Sequence, residues 1–228
     1  MTNYVISTPP VVAIPVAGSE GLFPVRRVYC IGRNYAAHAI EMGHDPDREP
    51  PFFFQKNPDN LDSSGEFPYP PHTEDVHHEI EMLVALKSGG RNIPLAEALD
   101  HVYGYGISLD MTRRDLQGQM KKMGRPWEIG KAFERSAPCG PVHPVAEVGH
   151  PSDGLVQLKV NGKVTQEGDL NQMIWKVPEM ISYLSEYFEL AAGDVILSGT
   201  PSGVGPVVRG DRMEASVAGL GKLSVAVV

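Results

Sequence analysis

The sequence predicts an α+β fold that is mostly β, and three observations carry that class. An Asn161-Gly162 pair separates two strand-like runs, the signature of a tight hairpin. Short runs of strand composition bounded by glycine or proline recur along the chain, and few stretches have a helical period. Between residues 45 and 72, Pro46, Pro50, Pro51, Pro58, Pro68, Pro70 and Pro71 forbid a long helix or a central strand. With 228 residues, 42% of them hydrophobic and 21% charged, the chain suits one large folded domain rather than a disordered segment.

Taken in order, residues 1–24 carry Pro9, Pro10, Pro15 and Pro24 and predict an extended segment packing on a domain that spans 25–228. The apolar stretch 11–16 follows no basic region, holds a proline and is far too short to span a bilayer, so it predicts a short edge strand. A strand over 25–32 leads to a helix over 33–43 that Gly43 stops. The proline-rich loop has the composition of a cover over a site, with one short strand at 52–55 and Lys56 just after it.

Residues 77–86 predict a strand apolar on both faces, hence buried on both. Gly89-Gly90 turns the chain, and Pro94 opens a short helix that runs to about His101. The next strand, 102–110, ends on Asp110 at a strand-to-helix junction. Thr112 with Asp115 predicts a capping box for a helix over 113–123, closed by Gly124. An irregular stretch over 127–144 contains Lys131. After the hairpin, 155–160 and 163–166, Pro178 opens a helix with Met180, Ile181, Leu184, Tyr187 and Phe188 on its core face. A strand over 195–198, a glycine-rich loop over 199–206 and two final strands, 212–218 and 222–228, complete the chain.

The chemistry concentrates in 77–86. Alternation puts Glu79 and Glu81 on one face, roughly 6.5–7 Å apart at the strand rise, beside Leu83 and Ala85. Two carboxylates at the edge of an interior need a cation, a shared proton or water, and their hard oxygens favour Mg²⁺, Mn²⁺ or Ca²⁺. A plain solvated strand end is the competing reading of these residues. His38 and Glu41, three apart on the 33–43 helix, are placed for the acid to orient the imidazole as a general base, or are simply neighbours on an exposed face.

Several classes are disfavoured. A formal charge of −8 without a basic stripe argues against nucleic acid, although Arg113, Arg114, Lys121, Lys122 and Arg125 form a local cluster suited to an anionic metabolite. Cys30 and Cys139 make neither a metal spacing nor a disulfide framework and predict free thiols in a cytoplasmic protein. The loop at 199–206 lacks the Gly-Lys-Ser/Thr ending of a phosphate loop and no helix start follows it, so no nucleotide or other organic cofactor is expected. Its amides and Thr200 suit a small carboxylate.

Five ordered motifs then converge: Arg33-Asn34-Tyr35-Ala36-Ala37-His38, His78-Glu79-Ile80-Glu81, the run from Leu109-Asp110 to Leu116-Gln117, Gly130-Lys131-Ala132-Phe133, and Gly199-Thr200-Pro201-Ser202-Gly203-Val204-Gly205-Pro206. Together, from about Arg27 to the end of the chain, they resemble the fumarylacetoacetate hydrolase family, and within it the short acylpyruvate hydrolases such as bacterial fumarylpyruvate hydrolases of gentisate breakdown. The resemblance implies a mixed β-sandwich or roll of the family's C-terminal domain type, usually a homodimer. It implies a divalent cation, Mg²⁺ first, held by Glu79, Glu81 and Asp110. His38 with Glu41 then becomes the water-activating pair and Lys131 an electrophilic partner. Arg33, Lys56, Arg114, Gln117, Gly199 and Thr200 become substrate contacts. Larger members place a fourth acidic ligand where this chain has Arg33 and Asn34, so a three-carboxylate site is expected.

The implied reaction cleaves the carbon–carbon bond of an acylpyruvate: activated water attacks the distal carbonyl and pyruvate enolate departs. No Gly-x-Ser-x-Gly elbow or paired cysteine supports a covalent route. Two rivals stand beside it, decarboxylation of a β-keto acid such as oxaloacetate and metal-dependent carboxylate binding without turnover. Arg113 or Arg125 is the sequence-level candidate for a substrate's distal carboxylate.

Overall fold

The computed structural model describes residues 3–36 and 50–228. Among these, a six-stranded sheet occupies the middle, in the order His143–Pro144, Val102–Leu109, Ile80–Leu86, Asp194–Leu197, Arg27–Gly32, Phe52–Lys56. Its neighbours are antiparallel except Asp194–Leu197 and Arg27–Gly32, which run parallel. A five-stranded sheet lies in the order Lys163–Asp169, Leu155–Val160, Arg212–Val217, Lys222–Val227, Glu66–Phe67. The fold is mostly β with few helices, as the sequence predicts.

Every residue of Ile80–Leu86 is buried, and the alternation divides them as expected. Ile80, Met82, Val84 and Leu86 join Tyr29, Ile31, Ile107 and Leu109 in a core shared with Val156, Leu158, Met213, Val217 and Val225 of the five-stranded sheet. Leu83 and Ala85 face the other way, with Val28, Cys30, Val195 and Leu197. That second face is covered by Ile14 and Phe23 of a strand pair, Ala13–Pro15 with Leu22–Pro24, and by Val16 and Val25 just after its strands. Cys30 and Cys139 are free thiols, both buried.

The structure corrects the single strand over 77–86. Val76–His78 pairs with Thr112–Arg113 and Gly205–Val207 in a separate three-stranded sheet, and Glu79 falls in the break before Ile80–Leu86. A side chain takes over from the ladder there: the Ile80 amide donates to Gln166 Oε1 at 3.1 Å, while the Asp110 amide bridges to the Glu79 carbonyl at 2.8 Å.

The capping box is also corrected. Thr112 pairs with His77 as a strand residue, and Asp115 accepts hydrogen bonds from Thr73 Oγ1 at 2.7 Å and the Leu116 amide at 2.8 Å. The helix is Arg114–Met123, closed by Gly124 at φ 61°. Its first turn thereby carries Arg114 and Gln117 toward the Glu79 break.

The hairpin forms as predicted, Leu155–Val160 with Lys163–Asp169, with Asn161 at φ 51° and Gly162 at φ 79°, the signs a type I′ turn requires. In the helix Val177–Tyr187, Met180, Ile181 and Leu184 are buried, each contributing roughly 1.5–3 kcal/mol of apolar transfer. Tyr187 departs from the predicted core face. It lies 57% exposed against Tyr183 and Phe53, because the helix ends there and Phe188 takes the inner position.

Candidate active site

Three elements deliver the acids. Glu79 sits in the strand break, Glu81 is second in Ile80–Leu86, and Asp110 follows Val102–Leu109, whose Leu109 pairs with Ile80. Each offers a carboxylate oxygen within 4.8 Å of the others', and all three residues are buried. The break matters, since an unbroken strand would hold Glu79 and Glu81 a full pleat apart.

Lys131 comes from the one-turn helix Glu128–Lys131 inside the irregular 127–144 stretch. Gly130 lets that turn press on the neighbouring helix, where an added Cβ would stand 2.9 Å from the Gln117 amide nitrogen. The Lys131 ammonium then donates to Glu79 Oε2 at 2.9 Å, Asp110 Oδ2 at 2.8 Å and Thr112 Oγ1 at 2.7 Å. Arg114 pairs with Glu79 Oε1 and donates to Gln117 Oε1 at 2.7 Å. Lys56 lies 2.9 Å from Asp110 Oδ1 and donates to Ser136 Oγ at 3.0 Å and to the Met111 and Lys131 carbonyls.

These contacts divide the acids unequally. Among the described residues, Glu79 meets the cations of Arg114 and Lys131 and Asp110 those of Lys56 and Lys131, whereas the Glu81 carboxylate accepts from the Gly199 amide at 2.8 Å. Burial, followed by the like charges of Asp110 and Glu79, pushes the Glu81 carboxyl well above the usual carboxylate range. Burial opposes the charge on Lys131, but Asp110 and Glu79 outweigh it and hold that ammonium above the ordinary lysine range. An all-oxygen donor set with one under-compensated, buried carboxylate fits a hard divalent cation. Glu79, Glu81 and Asp110 could hold one.

The cavity over this cluster is lined by Arg33, Phe52, Phe54, Glu79, Glu81, Asp110, Arg114, Gln117, Lys121, Trp127, Lys131 and Thr200, among others. Phe52 and Trp127 pack edge to face at 4.9 Å, Arg33 lies over Phe52 and Lys121 over Trp127. Arg33 is held at φ 58°, a left-handed conformation that turns the chain at the cavity rim. Lys121 is half-buried, and burial followed by the charges of Arg114 and Arg33 lowers its ammonium to about 8.

Of the predicted residues, Glu79, Glu81, Asp110, Lys131, Arg114, Gln117, Arg33 and Thr200 therefore come together around one cavity. Gly199 joins them from below through its amide; at φ 91° its absent Cβ would stand 2.6 Å from Asn34 Cβ, so glycine is what lets the loop close on Glu81. Lys56 lies behind Asp110, nearly solvent-free, away from the cavity lining. His38 and Glu41 lie outside the described residues. The Asn34 amide donates to the Trp175 and Ser198 carbonyls at 2.9 and 2.8 Å, so it ties the loop down in place of a fourth acid.

Arg113 is turned away over Phe133 at 4.4 Å, and Arg125 lines an aromatic groove outside this cavity. Two further residues belong to the site. Lys121 stands in the basic cluster with nothing in the sequence to choose it over its neighbours, and Gln166 reads there only as the end of a hairpin strand.

A family model described as fumarylacetoacetate (FAA) hydrolase C-terminal matches residues 27–228. The crystal structure of a fumarylpyruvate hydrolase from Pseudomonas aeruginosa in complex with Mn²⁺ and pyruvate is 54% identical, covers 99% of each chain and superposes with a TM-score of 0.97. A mitochondrial oxaloacetate tautomerase of Arabidopsis thaliana is 40% identical over 197 residues, 86% of this chain and 88% of that protein. The oxaloacetate tautomerase of Escherichia coli is 40% identical over 198 residues, 86% and 90% of the two chains.

Proposed function

The chain belongs to the fumarylacetoacetate hydrolase family, and from that premise we propose that it is a divalent-metal-dependent hydrolase cleaving the carbon–carbon bond of an acylpyruvate, fumarylpyruvate first. The observation that carries this reading is the buried Glu79, Glu81 and Asp110 cluster with Lys131 set among its carboxylates, in a chain alike over its whole length to a fumarylpyruvate hydrolase. In this assignment residues 25–228 form the catalytic unit, residues 1–24 pack on it, and the protein works in the cytoplasm as a homodimer in aromatic breakdown.

Glu79, Glu81 and Asp110 would hold the cation, which when bound supplies a Lewis acid for the carboxylate and keto oxygens of the pyruvate end. Thr200, Arg114 and Gln117 orient that carboxylate. His38, steadied by Glu41, takes a proton from the water that attacks the distal carbonyl. The electron pair of the breaking bond passes to the pyruvate fragment as an enolate, and the Lys131 ammonium stabilises the charge as it develops. Protonation of the enolate carbon then yields pyruvate.

Arg33 and Lys121 at the rim place positive charge where the acyl group extends, in the role the sequence offered to Arg113 or Arg125. Lys121→Met is expected to raise KM for fumarylpyruvate about tenfold and leave acetylpyruvate nearly unchanged, on the scale of one charge-assisted contact. Lys121 is charged below about 8 and neutral above it. KM for fumarylpyruvate should therefore rise as pH climbs past about 8, and Lys121→Arg should remove that rise. Equal losses on both substrates would take Lys121 out of acyl recognition.

The oxaloacetate tautomerases among the relatives favour a second reading. Oxaloacetate presents the same 2-keto acid end with a second carboxylate, and its tautomerisation moves a proton without an attacking water. The test is chelator-stripped protein with and without Mn²⁺ or Mg²⁺, given fumarylpyruvate, acetylpyruvate and oxaloacetate, with pyruvate release and enol absorbance followed separately. Metal-restored pyruvate release from fumarylpyruvate is the expected result. Loss of oxaloacetate enol without pyruvate from either acylpyruvate would transfer the protein to the tautomerases, and carbon dioxide release to the decarboxylases.

A further inference from the structure

Gln166, in the hairpin strand Lys163–Asp169, is fully buried and makes four hydrogen bonds. Its Oε1 accepts from the Ile80 amide at 3.1 Å, and its Nε2 donates to the Pro201 carbonyl at 2.9 Å. A backbone N–H can only donate and a carbonyl can only accept, so these two partners fix which end of the amide is which. The remaining two bonds then have no freedom. His78 Nδ1, 2.9 Å from Oε1, must carry a hydrogen, and Thr200 Oγ1, 2.8 Å from Nε2, must accept one.

Thr200 lines the cavity, and its hydroxyl hydrogen, barred from Gln166, finds no acceptor among the described residues. We infer that Gln166 is a positioning residue that commits the Thr200 hydroxyl to donate into the cavity, toward the carboxylate of a 2-keto acid substrate. The hairpin holds this arrangement rigid. Gly168 lies where a Cβ would stand 2.7 Å from Pro201 Cβ, and Gly203 where one would stand 2.1 Å from the Thr165 carbonyl oxygen, so strand and loop are packed without slack. The inference rests on the substrate class proposed above.

The test is pyruvate binding to the Mn²⁺-loaded protein and turnover of fumarylpyruvate, in wild type, Gln166→Glu, Thr200→Ser, Thr200→Val and Gln166→Glu/Thr200→Val. The glutamate keeps the acceptor for Ile80 and His78 but presents an oxygen to Thr200, which captures its hydrogen. Gln166→Glu and Thr200→Val should each weaken pyruvate binding about ten- to a hundredfold and raise KM more than they lower kcat. Thr200→Ser should keep binding, and the double variant should be no weaker than Thr200→Val alone. Additive losses in the double variant would overturn the inference, because they would mean that Gln166 acts through charge or general packing. A measurement on wild type alone guards against misfolded variants: the ¹⁵N spectrum of neutral His78 should show the Nδ1–H tautomer, and the Nε2–H tautomer would overturn the amide assignment. Failure of wild type to bind pyruvate would instead sink the proposed function beneath it.

Discussion

Lys131→Met is expected to slow pyruvate release about a hundred- to a thousandfold and to lower the melting temperature of the metal-free protein by roughly 10 °C, with Mn²⁺ restoring the stability and not the turnover. The two effects have separate origins. Lys131 is 2% exposed and bonds Glu79 and Asp110 together, so its removal leaves buried carboxylates short of a counter-charge, typically costing about 3–5 kcal/mol. A bound cation can supply that missing charge, but it cannot donate a hydrogen bond to the developing enolate. Calorimetry of the stripped and loaded variant beside a pyruvate assay reads both. Turnover near the wild-type rate would remove Lys131 from the chemistry, and an unchanged melting temperature would mean the carboxylates do not depend on it.

The second large effect is at Glu81, and its two readouts move in opposite directions. Glu81→Gln should weaken Mn²⁺ binding by more than about a hundredfold, since even residues that only support a ligand are worth ten- to a hundredfold. The same variant should make the metal-free protein more stable. The folded-state carboxyl is pushed above its unfolded value by burial, Asp110 and Glu79, so the contribution of this group to the stability of the metal-free protein is fully present below the unfolded value and is lost as pH rises through the folded one. Glutamine, uncharged throughout, escapes that loss and should flatten the pH dependence of the melting temperature. Titration calorimetry with Mn²⁺ and melting curves across pH measure the pair. A variant that binds Mn²⁺ as tightly as wild type would exclude Glu81 from the metal-ligand set.

What could be read from the sequence was what local pattern encodes. The two-sided burial of Ile80–Leu86, the Asn161-Gly162 turn and the Gly124 helix stop depend on alternation and on permitted φ, and both are visible residue by residue. Glu79, Glu81 and Asp110 were legible through motif resemblance, and the structure brings their buried carboxylates together. What escaped depends on partners distant in the chain. Nothing near Ile80 announces that its amide will be met by a side chain 86 residues on, so the break at Glu79 could not be foreseen. Thr112 and Asp115 spell a capping box, but Thr112 is drawn into a strand with His77 and Asp115 to Thr73, tertiary bonds that outweigh a local cap. Lys56 follows the short strand of the proline-rich stretch yet ends beneath Asp110, where a lysine can satisfy its charge without touching solvent.

The buried thiols make the molecule its own unfolding clock. Cys30 lies in a strand of the six-stranded sheet and Cys139 in the same buried cluster, bridged to Ser108 of that sheet and 3.4 Å from Ser63 Oγ, and burial pushes the first thiol well up and the second to about 11. Neither can meet a thiol reagent as thiolate without the surrounding layers parting. Alkylation rates at the two cysteines thus count the events that open this face of the sheet. A cysteine placed anywhere on the surface would carry a label on a background that stays silent for as long as the chain is folded.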